Sequence, residues 1–504
     1  MLDALAESLF LILQLKTFML MMLGMGLGFS VGLLPGIGGG ATMALMMPFI
    51  FHMTPVEAFA FLLGMHSVVA TTGDITSVLF GVPGEGACAA TVLDGHPMAK
   101  RGQAGRALGA ALMSSLVGAL IGAAVLAVSI PVVRPLVLSF GSPELFMVTM
   151  MGIACITSLS GLGARGQLRG FSMGLFGLLL STIGTERQSG MLRFDMGLMY
   201  LWEGLDLVPF MVGIFAVPEI VNLAVRGTAI AGERPNERLR SGVLEGIKDT
   251  FRHFWLVVRC SAIGVLVGIL PGAGGGVAQW MAYAHAVQSA TDATDRERFG
   301  KGDVRGVLGP GACNNSKEGG DLIPTVAFGV PGSGATAILL GAFIIMGLTP
   351  GPDMLTKHLS VTYSMVWTLV IANIITVALC LMTLNHLARL TYVRGGLIIP
   401  FVLLLIFLGS YTANKSIADL LVTAGCGLFG YFMMRFGWPR APLVLGFVLG
   451  KLAETYLFIS IARYGFEWLA RPMVIVLFLL TLFVIALPYL QDRRKRRRRS
   501  THAD

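Results

Sequence analysis

Charge is what this chain has least of. Lys, Arg, Asp and Glu make up 13% of its 504 residues, where soluble domains carry about 25%. The stretches Thr17–Leu34, Ala107–Val133, Leu359–Asn385 and Met473–Leu490 hold none at all. A transmembrane helix needs about 20 apolar residues, so a soluble globular domain is excluded. The runs do not alternate in short segments, which excludes a membrane β-barrel. Cysteine is scarce too: Cys88, Cys155, Cys260, Cys313, Cys380 and Cys426 form no CxxC pair, which argues against a disulfide framework or a zinc site. The eight histidines lack ligand spacing, and no Walker motif occurs. No metal and no organic cofactor is expected. The N-terminal stretch has no basic n-region and no small-residue cleavage site, so it reads as a retained span.

What remains is an all-α polytopic membrane protein with roughly ten to thirteen transmembrane segments, and it is rich in glycine. The 65 glycines are close to double the usual share of about 7%, and many fall in two ordered sets. The first runs Gly32-x-x-Pro35-Gly36-x-Gly38-Gly39-Gly40, then Gly73-Asp74, then Phe80-Gly81-Val82-Pro83-Gly84-Glu85-Gly86-Ala87. The second runs Gly268-x-x-Pro271-Gly272-x-Gly274-Gly275-Gly276, then Gly320-Asp321, then Phe328-Gly329-Val330-Pro331-Gly332-Ser333-Gly334-Ala335. The polar insert 291–303 accounts for the wider spacing of the second set. Two internal repeats with discontinuous helices or re-entrant hairpins are predicted.

Basic loops follow the first set, "KRGQAGR" at 100–106, and precede the second, in 226–259. Lys/Arg excess marks the cytoplasmic side, so the repeats are expected to be inverted. The predicted organisation is a first repeat half at 1–225 and a basic cytoplasmic connecting loop at 226–259, its second part a surface-lying amphipathic helix. A second repeat region at 260–358 and scaffold spans at 359–490 follow. The tail 491–504 carries seven consecutive Lys/Arg at 493–499, which places it in the cytoplasm against anionic lipid. A nucleic-acid role is not expected there.

An interrupted helix in the membrane leaves unpaired backbone amides, which must face protein or a watery cavity. Its free N-terminus suits an anion. The substrate-binding candidates are therefore Pro35, Gly36, Gly38, Gly39, Gly40, Thr42, Pro83, Gly84, Gly86, Pro271, Gly272, Gly274, Gly275, Gly276, Pro331, Gly332, Ser333, Gly334 and Thr336, binding a carboxylate. The competing reading of the glycines is close helix packing. Asp74, Thr76, Glu85, Asn314, Asn315, Asp321 and Thr325 are the coupling-ion candidates, since a carboxylate at membrane depth needs a task or a partner; helix capping is the alternative for the two aspartates. Lys317 and Glu318 are expected to pair with each other, and Lys317 is the one candidate cationic contact to substrate within either motif, a solvated loop lysine being the competing reading. "GIGGGA" lacks the βαβ setting of a dinucleotide site, and Ser333 lacks a histidine partner for nucleophilic catalysis. An ion exchanger without organic substrate and an intramembrane enzyme are the alternatives to carboxylate transport.

The segments "LLPGIGGG", "FGVPGEGACAATVLDGHPMAKRGQAGRAL", "ILPGAGGG", "NNSKEGGDLIPTVAFGVPGSGATAILLGAF" and "GLTPGPDM" resemble the large membrane subunit of the tripartite tricarboxylate transporters, the TctA family. The chain departs from the family pattern at Ser316-Lys317-Glu318. The resemblance implies a multi-pass permease of the bacterial inner membrane, driven by sodium ions or protons rather than ATP. It also implies a small four-span TctB-like subunit, a periplasmic TctC-like solute-binding protein, and a citrate-like tricarboxylate or other small carboxylate as substrate.

Overall fold

A computed structural model of the protein describes residues 1–32, 38–85, 88–155, 164–186, 190–226, 242–270, 274–290, 293–390 and 395–483. These residues are helical nearly throughout, as expected. One pair of two-residue antiparallel strands, β1 (Gly184–Thr185) and β2 (Leu192–Arg193), is the only sheet among them. Most of the connecting loop before residue 242, and the basic tail, lie outside the described residues.

The first half runs α1 (Leu2–Leu13), α2 (Leu15–Gly32), α3 (Gly39–Met46), α4 (Pro55–Phe80), α5 (Ala89–Lys100), α6 (Ala104–Leu138), α7 (Ser142–Cys155), α8 (Ala164–Ser181) and α9 (Leu207–Arg226). The second runs α10 (Val243–Arg252), α11 (Phe254–Ile269), α12 (Gly274–Gln288), α13 (Ala293–Arg296), α14 (Arg305–Phe328), α15 (Gly334–Ile345), α16 (Leu359–Leu390), α17 (Gly395–Asn414), α18 (Ile417–Arg435) and α19 (Arg440–Tyr464). A last apolar helix, α20, spans Pro472–Phe483. The amphipathic helix expected in the connecting segment is α10. It packs on α6, held by Arg106 Nε donating to Asp249 Oδ2 at 2.6 Å. The helix that follows it already starts at Phe254, inside the segment read from sequence as loop.

Among the described residues, six helices are long and apolar enough to cross a membrane, seven if α10 and α11, bent by 79°, form one broken span. Shorter apolar helices, α3 and α15 among them, supply the rest of the segments read from the sequence. The instructive case is α14, which is absent from the six although it is buried from Gly306 to Ala327. Its polar side chains lower its hydropathy, and they are affordable because the neighbouring helices wall them from lipid.

Similar pairings recur in both halves. α2 packs on α4 as α11 packs on α14, while α6 lies on α14 and α16 lies on α4. Further out, α8 packs on α19 and α18 on α9. Each of α16–α19 thus packs on helices of the first half. Glycines make the close crossings possible. A methyl group at Gly28 would overlap Met65 O, at Gly32 the α4 backbone, at Gly264 Cys313 and at Gly268 the Lys317 carbonyl. The packing reading of Gly32 and Gly268 therefore holds. On α6, a side chain at Gly122 would press on Ser316 O and Cα of α14 at 2.6 and 3.0 Å. Gly122→Leu is expected to separate α6 from α14 and to lower the yield of monodisperse detergent-solubilised protein about tenfold, because backbone contacts cannot yield to a side chain. Size-exclusion chromatography beside Gly26→Leu, whose site has open space, checks this.

α4 and α14 position the site. α4 opens with a capping box between Thr54 and Glu57 and with Pro55 in its first turn, and it is buried from Glu57 to Leu79. It ends at Gly81, with φ 67°, and α14 ends at Gly329, with φ 68°. Only glycine adopts that left-handed cap cheaply. Val-Pro-Gly follows in both copies and prevents either helix from resuming in line.

Candidate functional site

Where α4 and α14 lie in the centre of the bundle, their polar side chains face one another. His66 Nε2 stands 3.1 Å from Glu318 Oε1, and both side chains are buried. The contact lies within ion-pair distance but off the line of a hydrogen bond, so neither Glu318 oxygen has a hydrogen-bond partner among the described residues. The other ring nitrogen, His66 Nδ1, is likewise buried and unpartnered there. It is aimed at the first turn of α3, where any side chain on Gly39 would overlap it. Lys317 Nζ lies 3.8 Å from Asp321 Oδ2, one turn along α14. The expected Lys317–Glu318 pair is therefore not formed. Adjacent helical residues point about 100° apart, and partners stand three or four residues away.

Three of the four glycine-rich tips reach this cluster. At the first, Gly39 N–H donates to Glu85 Oε2 at 3.2 Å, so the carboxylate of the second tip sits on the N-terminus of α3. Pro83 and Gly84 carry Glu85 there; Gly84 is buried against Gly73 and Thr76. Gly38 and Gly40 are partly exposed, and a side chain on Gly40 would stand 3.8 Å from Ala335 Cα at the start of α15. The N-termini of α3 and α15 are thus neighbours. At the fourth tip, Pro331 and Gly332 are buried, and Gly332 is seated against Gly268 O and Asp321. Gly334 is the first residue of α15 and is partly exposed. Ser333 and Thr336 form a capping box that satisfies their own helix start. Thr42 is buried and donates to Gly38 O at 3.2 Å. Of the third tip, Gly274, Gly275 and Gly276 form the first turn of α12, which packs on α14, α11 and α5 rather than on α3. Pro35, Gly36, Gly86, Pro271 and Gly272 lie outside the described residues.

The coupling-ion candidates divide into two places. Asp74 accepts from Thr91 Oγ1 at 2.9 Å and from Asn314 Nδ2 at 3.2 Å, so each of its oxygens has a donor and it ties the two halves together. Asn315 Nδ2 donates to Thr71 Oγ1 at 2.8 Å and Asn373 Oδ1 at 2.6 Å. Thr76 and Thr325 donate to their own helices, at Gly73 O and Asp321 O. Asp321 and Glu85 belong instead to the His66 cluster. The two Gly-Asp pairs are not structural equivalents. Asp74 stands seven residues before Gly81 and Asp321 eight before Gly329. Counted from those caps, Asp321 matches Gly73, and His66 matches Asn314.

His66 and the role of Glu318 escaped the motif reading. The signal was present: His66 is an ionisable residue in "FLLGMHSVVATTGD", a stretch of span otherwise uncharged before Asp74, and such a residue is a functional candidate by default.

Interrupted helices in both halves of a polytopic bundle, meeting at buried charges, are an arrangement that many secondary transporters share. A family model described as the tripartite tricarboxylate transporter TctA family matches residues 18–445, and the chain belongs to that family. It is a multi-pass membrane protein of a transporter family, and that family supplies the large subunit of tripartite transporters. Two proteins of Agrobacterium vitis are similar to it. One, an "Uncharacterized 52.8 kDa protein in TAR-I ttuC' 3'region", is 32% identical over 436 residues, which cover 86% of this chain and 85% of that protein. The other, an "Uncharacterized protein in TAR-II ttuC' 3'region", is 32% identical over 194 residues, 38% of this chain and 79% of that protein. No solved structure matches the chain.

Proposed function

We propose that this chain is the permease of a binding-protein-dependent secondary transporter that imports a small carboxylate, a citrate-like tricarboxylate or a dicarboxylate, across the bacterial inner membrane. A periplasmic solute-binding protein delivers the solute, a small four-span subunit completes the membrane complex, and a sodium or proton gradient drives alternating access. The two halves are inverted repeats, and the basic tail lies in the cytoplasm against anionic lipid. The substrate site is the facing pair of helix N-termini at Gly38–Gly40 and Ser333–Thr336.

The observation that supports this reading is the Glu85 carboxylate on the Gly39 amide. A carboxylate already rests on the N-terminus of α3, where unpaired amides and the helix dipole favour negative charge. A substrate carboxylate would take that place when Glu85 swings aside. The test is uptake of labelled C4 to C6 carboxylates into proteoliposomes holding both membrane subunits, with the binding protein outside. Accumulation that collapses with the cation gradient is expected. Cation flux with no carboxylate movement would contradict the reading.

A further inference from the structure

We propose that His66 and Glu318 are the proton-carrying pair of this transporter, a reading that rests on the carboxylate-transport function above. Neither residue is among the substrate-binding or coupling-ion candidates read from the sequence, and they come from different halves of the chain. Three observations carry the assignment. The pair is 3.1 Å apart and buried. Both Glu318 oxygens lack hydrogen-bond partners among the described residues, and a bare carboxylate at that depth requires a positive partner. His66 Nδ1 is buried, unpartnered and aimed at the α3 turn that carries the anion-holding amide.

The charge balance gives the pair its function. Around it lie the carboxylates of Glu318, Glu85 and Asp321, with Lys317 as the permanent cation. The groups facing the imidazole are Glu318 and Lys317 from α14 and Glu85 from the tip after α4. α3 presents the Gly39 backbone, α2 crosses α4 through glycines, and α16 brings the uncharged Asn373 against Asn315 of α14. With a neutral imidazole the cluster carries more negative than positive charge, and an incoming carboxylate worsens the excess. A proton taken from the outer side forms a bond to the free imidazole nitrogen and makes an imidazolium beside the Glu318 carboxylate. Substrate then replaces Glu85 on the α3 amide. Release of the carboxylate to the cytoplasm is followed by loss of the same proton to that side. One proton thus crosses with each substrate through this pair.

The experiment compares two assays on the reconstituted complex: accumulation driven by a pH gradient alone, and carboxylate counterflow at symmetric pH without any gradient. Glu318→Gln is expected to lose pH-driven accumulation at least tenfold while counterflow stays within about twofold of the parent. His66→Gln is expected to lose pH-driven accumulation as well and to flatten the pH profile of initial uptake. Parent-like pH-driven accumulation in either variant overturns the proposal, as does a parent protein driven by sodium and indifferent to the pH gradient. Glu318→Gln losing counterflow in step with accumulation would assign the pair a structural role and overturn it too. Absence of counterflow in the parent would instead overturn the transport reading beneath it.

Discussion

Gly39→Leu abolishes carboxylate uptake, by at least about a hundredfold, in a protein that still inserts and purifies as a single species. The reason is local. Gly39 carries the amide that holds the Glu85 carboxylate, and its Cα faces the His66 ring so closely that any side chain overlaps Nδ1. A leucine forces the first turn of α3 away from both, while the long helices that carry insertion are untouched. Gly26→Leu on α2 is the matched control, because open space surrounds that position; it keeps near-parent uptake. Initial rates in proteoliposomes, normalised to incorporated protein, decide the matter. Equal rates for Gly39→Leu and the parent would remove α3 from the site.

Lys317→Met destabilises the folded protein more than any other single change in the charged cluster, by about 3–5 kcal/mol, since removing one member of a buried ion pair strands the other. Lys317 is buried with Asp321 at 3.8 Å, and the carboxylates of Glu318 and Glu85 also face it. Methionine fills the volume of the lysine stem, so the effect reads charge rather than packing. Adding Asp321→Asn removes the stranded carboxylate, and the double variant recovers most of the lost stability. Thermal unfolding in one detergent at one pH measures both, and the coupling between the two sites is the readout. A single variant as stable as the parent would show that Asp321 is held protonated, or is solvated, without the lysine.

Much of this architecture was legible in the residues. Charge-free stretches announced the membrane, and paired proline–glycine interruptions announced broken spans at α2/α3 and α11/α12. The repeated Val-Pro-Gly marked the ends of α4 and α14. Gly32 and Gly268 answered to the plainer reading as well, as seats for α4 and α14. The sequence was poorest where helical phase decides contact. Lys317 and Glu318 are neighbours in the chain, yet they turn to Asp321 and to His66 on another helix. Asp74 and Asp321 look equivalent beside their glycines, but one residue of register relative to Gly81 and Gly329 puts them on different faces. Asp74 is consumed by Thr91 and Asn314, while Asp321 meets Lys317. Such pairings depend on which helices cross and at what rotation, and hydrophobic patterning does not encode either.

Cryo-electron microscopy of the complex with a transported carboxylate bound tests the central claim most directly. The account predicts ligand density between the first turns of α3 and α15, with a carboxylate within hydrogen-bond distance of the Gly39 amide and Glu85 moved off it. Density at any other place, with Glu85 still on Gly39, would contradict it.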